Sequence, residues 1–238
     1  MQLKVATVSE HSALSHPVNV RRATERLSSL SDWASYPLVR LAAERYAGLL
    51  GTPEHFVKML LLIEDKRFLV HPGVDPIAVV RALAFNTRRG ALQGASTVIQ
   101  QLYNIRRKDD LTTTHRSVTY KIRQSLWALS CSTMSCKGFL LDQYVGAVYW
   151  GRSYYGIDQA AKGYFSTTRS SLDAAQSFFL AERIAMPNSV SPQRISNLIG
   201  RRPIRNSLKE NNIGIADVAA LYQKIYGCGG EAWAILGK

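Results

Sequence analysis

Apolar residues recur in this chain at intervals of three and four and almost never in alternation, so most of it can bury a face only as helix. One stripe runs through Phe56, Leu60, Ile63 and Arg67 and is ended by His71-Pro72-Gly73, which leaves Glu64 and Asp65 at or near a last turn. Asp75-Pro76 reads as an N-cap followed by proline at the first helical position, with Ile77, Val80 and Ala84 on one face and Gly90 as the stop. Ser96-Thr97 opens another helix: Thr97 and Gln100 have capping-box spacing, and Val98, Leu102 and Ile105 continue the apolar stripe. A further helix is expected from Thr114 to Ser130 with Val118, Ile122, Leu126 and Leu129 inward. Lys137 to Trp150, Gly156 to Phe165, Leu172 to Ala185 and Ala216 to Tyr226 also read as helices, the third ended by Pro187. The expected class is mainly α, with functional loops between helices.

Residues 1–37 mix Ser, His, Pro and charge with little periodicity and read as a loosely ordered lead-in; residues 38–238 read as one catalytic-sized domain. The chain carries 30 Lys and Arg against 17 Asp and Glu, a balance of +13 that attracts phosphates, whether of nucleic acid, lipid headgroup or a diphosphate substrate. The basic pairs are scattered through the domain, at Arg88-Arg89, Arg106-Arg107-Lys108 and Arg201-Arg202, which suits a folded surface. No helix-turn-helix, zinc-finger or aromatic stacking motif accompanies them, so no nucleic-acid partner is expected. Cys131, Cys136 and Cys228 are too few and too unevenly spaced for a disulfide framework or a metal site, although Cys131 and Cys136 could bridge locally. The first residues lack the apolar core of a signal peptide, and the longest apolar run, Met59 to Ile63, is far short of the ~20 residues that span a bilayer.

Two segments carry candidate chemistry. EDKRFLVHPGVD, from Glu64 to Asp75, presents adjacent carboxylates, an aromatic and His-Pro-Gly at a loop mouth, where partial burial could lift a carboxyl towards a working range. Read by itself it could equally be a solvated pair at a helix end. GASTVIQQL, from Gly94 to Leu102, is a Gly-rich turn into a capped helix whose free N–H groups could hold an anion, or merely a well-capped helix. Gln100 and Gln101 point about 100° apart on such a helix and offer amide groups suited to sugar hydroxyls.

Taken together, in this order and spacing, EDxxFxxHxGxD and GxSTxxQQL resemble the first two motifs of the peptidoglycan glycosyltransferases, glycosyltransferase family 51, which includes penicillin-binding proteins and monofunctional transglycosylases. RSVTYKIRQ from Arg116 looks like the third motif, KGFLLDQYVGAVYWG from Lys137 like the fourth, and the likeness continues through Pro192, covering roughly Leu38 to Lys209. The resemblance implies a lysozyme-like, two-lobed helical domain with a long cleft and a small lobe touching an anionic membrane surface. It implies polymerisation of lipid II into glycan strands at the outer, periplasmic face of the bacterial cytoplasmic membrane, with inversion and release of undecaprenyl diphosphate. Glu64 would be the general base; Asp65, Phe68, His71, Ser96, Thr97, Gln100, Gln101, Arg116, Lys121 and Gln124 would bind substrate, with Arg116 and Lys121 on the phosphates. A divalent cation such as Mg2+ is the cofactor this likeness suggests.

Departures from the family pattern are specific. The third motif's glutamate is Gln124, the basic residue of QQLxKN is Asn104, YLN has become YVG at Tyr144 to Gly146, and later acids have become Asp142 and Gln176. An amide cannot carry the charge of a carboxylate, and losing one preorganised charge commonly costs ~10²- to 10³-fold in rate. Arg106 and Arg107 lie within a turn of Asn104 and could replace its cation. The competing expectation is therefore a weakened or inactive homologue that binds lipid II or glycan, and a lysozyme-type hydrolase is a further one.

Overall fold

The structure, a computed structural model, describes residues 17–80, 82, 96–107 and 118–227. Helix α1 (Pro17–Leu50) is followed by α2 (Glu54–Glu64), α3 (helical over 76–80), α4 (Val98–Arg106), α5 (Val118–Met134) and α6 (Lys137–Ala147). Then come α7 (Ile157–Phe165), a 3₁₀ turn (Arg169–Ser171), α8 (Ala174–Arg183), α9 (Pro192–Gly200), α10 (Arg202–Glu210) and α11 (Ile215–Tyr226). No strand occurs among the described residues, only an isolated bridge between Tyr149 and Tyr155, and the class is mainly α as expected.

Helix α2 is the centre. Phe56, Val57, Met59, Leu60, Leu61 and Leu62 are all buried, so it is apolar almost all round and must be enclosed. One side is covered by α1, which turns Val39, Ala42, Ala43, Tyr46, Ala47 and Leu50 inward at helical spacing. The other is covered by α8, which buries every residue except Gln176. That glutamine has its own work: with Asp173 it forms a capping box, donating and accepting across the helix start at 2.8 and 3.0 Å, as a glutamate there would.

Several expectations are corrected. The lead-in proposed for residues 1–37 is helical from Pro17 onward, with Pro37 inside α1; residues 1–16 lie outside the described residues. Helix α2 stops at Glu64 rather than at the His-Pro-Gly, because Asp65 leaves helical geometry to serve as its C-cap. Helix α6 stops at Ala147, where the chain turns extended into the Tyr149–Tyr155 bridge. Helices α9 and α10 were not foreseen, although each has proline in its first turn. In α5 the expected inward stripe faces out: Val118, Ile122 and Leu126 are exposed, while Gln124 and Ala128 are buried. Cys131 and Cys136 are both free thiols, and Cys228 lies outside the described residues.

Gly73 shows why the loop after α2 needs its glycine. Its φ of +98° is open to few other residues, and a Cβ there would sit 2.3 Å from the carbonyl oxygen of Ala128 in α5. The loop is thereby pressed against the helix that carries Gln124.

Candidate active site

The end of α2 divides two adjacent carboxylates between different tasks. Asp65 is buried and fully engaged: the Val98 N–H at the start of α4 donates to its Oδ2 at 3.1 Å, and His71 Nε2 lies 2.9 Å from both of its oxygens. His71 Nδ1 accepts the Gly73 N–H at 3.1 Å, so Nε2 carries the proton that is donated to Asp65. Lys137 closes the loop from above, donating to the carbonyls of Phe68 and His71 at 2.6 and 2.7 Å over the buried Phe68 ring. Burial lowers the pKa of that ammonium, and the charge of Asp65 opposes the shift.

Thr97 and Gln100 realise the capping box foreseen at α4, with bonds of 3.2 and 3.0 Å, and Thr97 Oγ1 also donates to the Gly73 carbonyl at 2.6 Å. Gln100 spends its amide nitrogen on Ser125 Oγ at 3.0 Å. Asp65, Phe68, His71, Thr97 and Gln100, all expected to touch substrate, are thus buried and bonded within the protein. They tie the end of α2, the loop after it and the start of α4 to one another.

Glu64 is different. The residue as a whole is only partly buried, and Gln101 Nε2 donates to its Oε2 at 2.8 Å. Gln101 is itself oriented by the fully buried Tyr144, whose hydroxyl donates to Gln101 Oε1 at 2.8 Å. Burial raises the pKa of Glu64, the Gln101 bond and the positive charge of Arg194 pull it down, and Asp65 pushes it up. Tyr144 is held well above the ordinary phenol range by burial and by the Glu64 and Asp65 charges, so it stays a donor. Neither Tyr144 nor Arg194 was marked as a site residue in the sequence; the tyrosine stood in the fourth motif, and the arginine carried no local signal.

On the α5 side, Lys121 Nζ donates to Ser96 Oγ at 3.1 Å and to Gln124 Oε1 at 3.0 Å, with burial lowering its pKa. Gln124 Nε2 donates to the Gln100 carbonyl at 2.9 Å and to Asn104 Oδ1 at 2.6 Å, and Tyr120 donates to the same Asn104 oxygen at 2.7 Å. The two positions that depart most from the family pattern are therefore bonded to each other as a neutral amide pair. Among the described residues no carboxylate refills the place of Gln124, and the cation beside it is Lys121. Arg106 and Arg107 stack over Trp127 and Tyr103. Arg116 lies outside the described residues.

Among the described residues no group of three or more His, Cys, Asp or Glu side chains converges as a ready-made metal site, and Asp65 is committed to His71 and α4.

A carboxylate at the end of a central helix, in a partly buried residue and steadied by an amide, is a group that can take up or give a proton. The class so defined is a helical domain equipped for acid–base chemistry. The chain belongs to the transglycosylase family, of the glycosyltransferase family 51 type, whose model matches residues 38–209. It is 32% identical over 146 residues to penicillin-binding protein 1A of Rickettsia felis, covering 60% of this chain and 18% of that protein. It is 30% identical over 158 residues to penicillin-binding protein 1A of Aquifex aeolicus, covering 66% and 21%. With the Streptococcus pneumoniae protein of the same name it shares 29% over 140 residues, covering 59% and 19%. The chain thus spans about a fifth of the length of these relatives.

Proposed function

We propose that this chain is a peptidoglycan glycosyltransferase domain that polymerises lipid II, with Glu64 as the general base. The observation that carries this reading is the Tyr144–Gln101–Glu64 chain of hydrogen bonds, which fixes one carboxylate at the end of α2 while its neighbour Asp65 is engaged with His71 and α4. In the reaction, Glu64 takes the proton of the acceptor sugar's 4-hydroxyl as that oxygen attacks the donor's anomeric carbon. The new C–O bond forms as the bond to the diphosphate oxygen breaks, configuration inverts, and undecaprenyl diphosphate leaves. Base catalysis of this kind supplies ~10²- to 10⁴-fold. Lys121, with Arg116 as a second cation by resemblance, would meet the charge gathering on the diphosphate. No step is routed through a metal ion.

The work would take place at the outer face of the cytoplasmic membrane. No helix among the described residues is long and apolar enough to cross a bilayer. The exposed Val118, Ile122 and Leu126, one turn apart along α5, offer instead a face that could rest on a lipid surface.

A second reading is supported by the neutral Gln124–Asn104 pair: a homologue that keeps the site, binds lipid II or glycan strands, and turns over weakly or not at all. Fluorescent lipid II incubated with the protein, with and without magnesium, separates the two. Polymer from the native chain and a loss of about 10²-fold or more in Glu64→Gln is the expected outcome. Binding without polymer from either protein would overturn the polymerase reading in favour of the second.

A further inference from the structure

The side-chain amide of Gln101 has an accepting end and a donating end of nearly the same shape, and the fold gives the two ends different neighbours. Its Oε1 accepts the Tyr144 hydroxyl at 2.8 Å, and its Nε2 donates to Glu64 Oε2 at 2.8 Å. Turned over, the amide would lay its oxygen against the carboxylate oxygen and take from the buried phenol proton its acceptor. Tyr144 and Glu64 thus favour the same polarity.

The phenol is held in place from elsewhere. Tyr144 is wholly buried on α6, a helix whose first residue, Lys137, is bonded to the Phe68 and His71 carbonyls of the loop after α2. At the next position, Gly138, a Cβ would lie 2.7 Å from Leu49 Cδ2 of α1, so α6 is seated directly on that helix. Gln101 rides on α4, which packs against α6 and whose start is fixed by its capping box and by Asp65. Tyr144 therefore grips one end of the amide from a fixed position, and being enclosed it does not itself touch a substrate. A donor held opposite a carboxylate favours the ionised form, which is the form that accepts a proton.

We propose that Tyr144 is a positioning residue that sets the polarity of the Gln101 amide, so that a donor and never an acceptor faces Glu64. The proposal rests on the reading of Glu64 as the base, and it deepens that reading. A lysozyme-type hydrolase would need the same carboxyl protonated, and an amide of this polarity works against that. The charged groups that also act on Glu64 are Asp65, which favours its neutral form, and Arg194 of α9, which favours its ionised form. Tyr144 is the remaining titratable group on this side, and its burial keeps it a donor.

The test is a direct titration of the Glu64 carboxyl by NMR in protein carrying ¹³C-carboxyl glutamate, the resonance being assigned by its loss in Glu64→Gln. In Tyr144→Phe the midpoint is expected to rise by about one pH unit, the worth of one hydrogen bond to a charged group. Gln101→Leu should raise it as well, and adding Tyr144→Phe to Gln101→Leu should change nothing further, because the phenol acts only through the amide. An unmoved midpoint in folded Tyr144→Phe, or an equal rise from that change with and without Gln101, would overturn the proposal. Should Tyr144→Phe not fold, ¹⁵N-labelled native protein decides: the Gln101 side-chain NH2 resonances should move through the Glu64 midpoint, and resonances that stay still there also overturn it. Where polymer is made, Tyr144→Phe should lower kcat with KM little changed, and the acidic limb of the rate profile should move to higher pH. If the native chain makes no polymer, the functional reading fails, and the titration still decides the role of Tyr144.

Discussion

Gln124 donates from one nitrogen to two oxygens, the Gln100 carbonyl and Asn104 Oδ1, and that arrangement admits no carboxylate. A glutamate at this position would set oxygen against oxygen at both contacts. Asn104 could turn its amide, but the main-chain oxygen of Gln100 could not. Lys121 would tighten on the new charge without relieving that contact. Gln124→Glu alone is therefore expected to destabilise the fold by about 1–3 kcal/mol in urea unfolding, as a buried acceptor left without a donor does. Adding Asn104→Lys supplies a donor and a countercharge, and the double variant should recover at least ~1 kcal/mol of that loss, a coupling that additive effects would not give. At this scale the sequence spoke unevenly. Motif spacing singled out Glu64 as the candidate base and marked both departures, because adjacency along a helix is a local property. It could not say that Asp65, His71, Thr97 and Gln100 turn inward, since side-chain direction is decided by the helix packed opposite.

Helix α5 is the element whose reading inverted. Its apolar residues keep perfect helical spacing, so periodicity alone assigns them to the core, yet the inner side is occupied by Gln124 and Ala128. The amide can be there because each of its groups is bonded, and the backbone at Ala128 lies against the Gly73 loop. Replacing Val118, Ile122 and Leu126 by serine should leave the thermal midpoint nearly unchanged, as exposed positions shift stability by about 0.5 kcal/mol or less apiece. The same triple variant should lose sedimentation with anionic lipid vesicles. Retained binding would remove this face from the membrane role. Helices α2, α4, α6, α7, α8 and α11 were legible in existence and type, whereas α9, α10 and the start of α1 were not, and ends were set by tertiary events such as the Asp65 cap and the turn at Val148.

Across the whole molecule, the folded unit is longer than the segment that matches the family. Helix α11 lies beyond residue 209, yet Val218 and Tyr222 are fully buried in the main core, and Tyr222 bonds Glu182 inside α8. A chain stopped after Lys209 would uncover Phe179 and the Glu182–Arg183 pair. Removing one buried aromatic alone costs about 3–5 kcal/mol, and a domain of this size loses about 2–4 °C per kcal/mol. Such a truncation is expected to melt at least ~10 °C lower by circular dichroism. The mainly helical class and the transglycosylase relationship were both legible without coordinates. The part played by α11 was not, since its amphipathic pattern gives no hint that its inner face meets ions.

Asp65 has a consequence for the order of events in folding. It stands next to Glu64 in sequence but is satisfied only when the first amide of α4 and the His71 ring have both arrived. Until then a carboxylate would have to lose water with nothing to replace it, so the end of α2 has no stable half-built form. Assembly of the site and docking of α4 are a single event, and the exchange rate of the Val98 amide hydrogen is a clock for it.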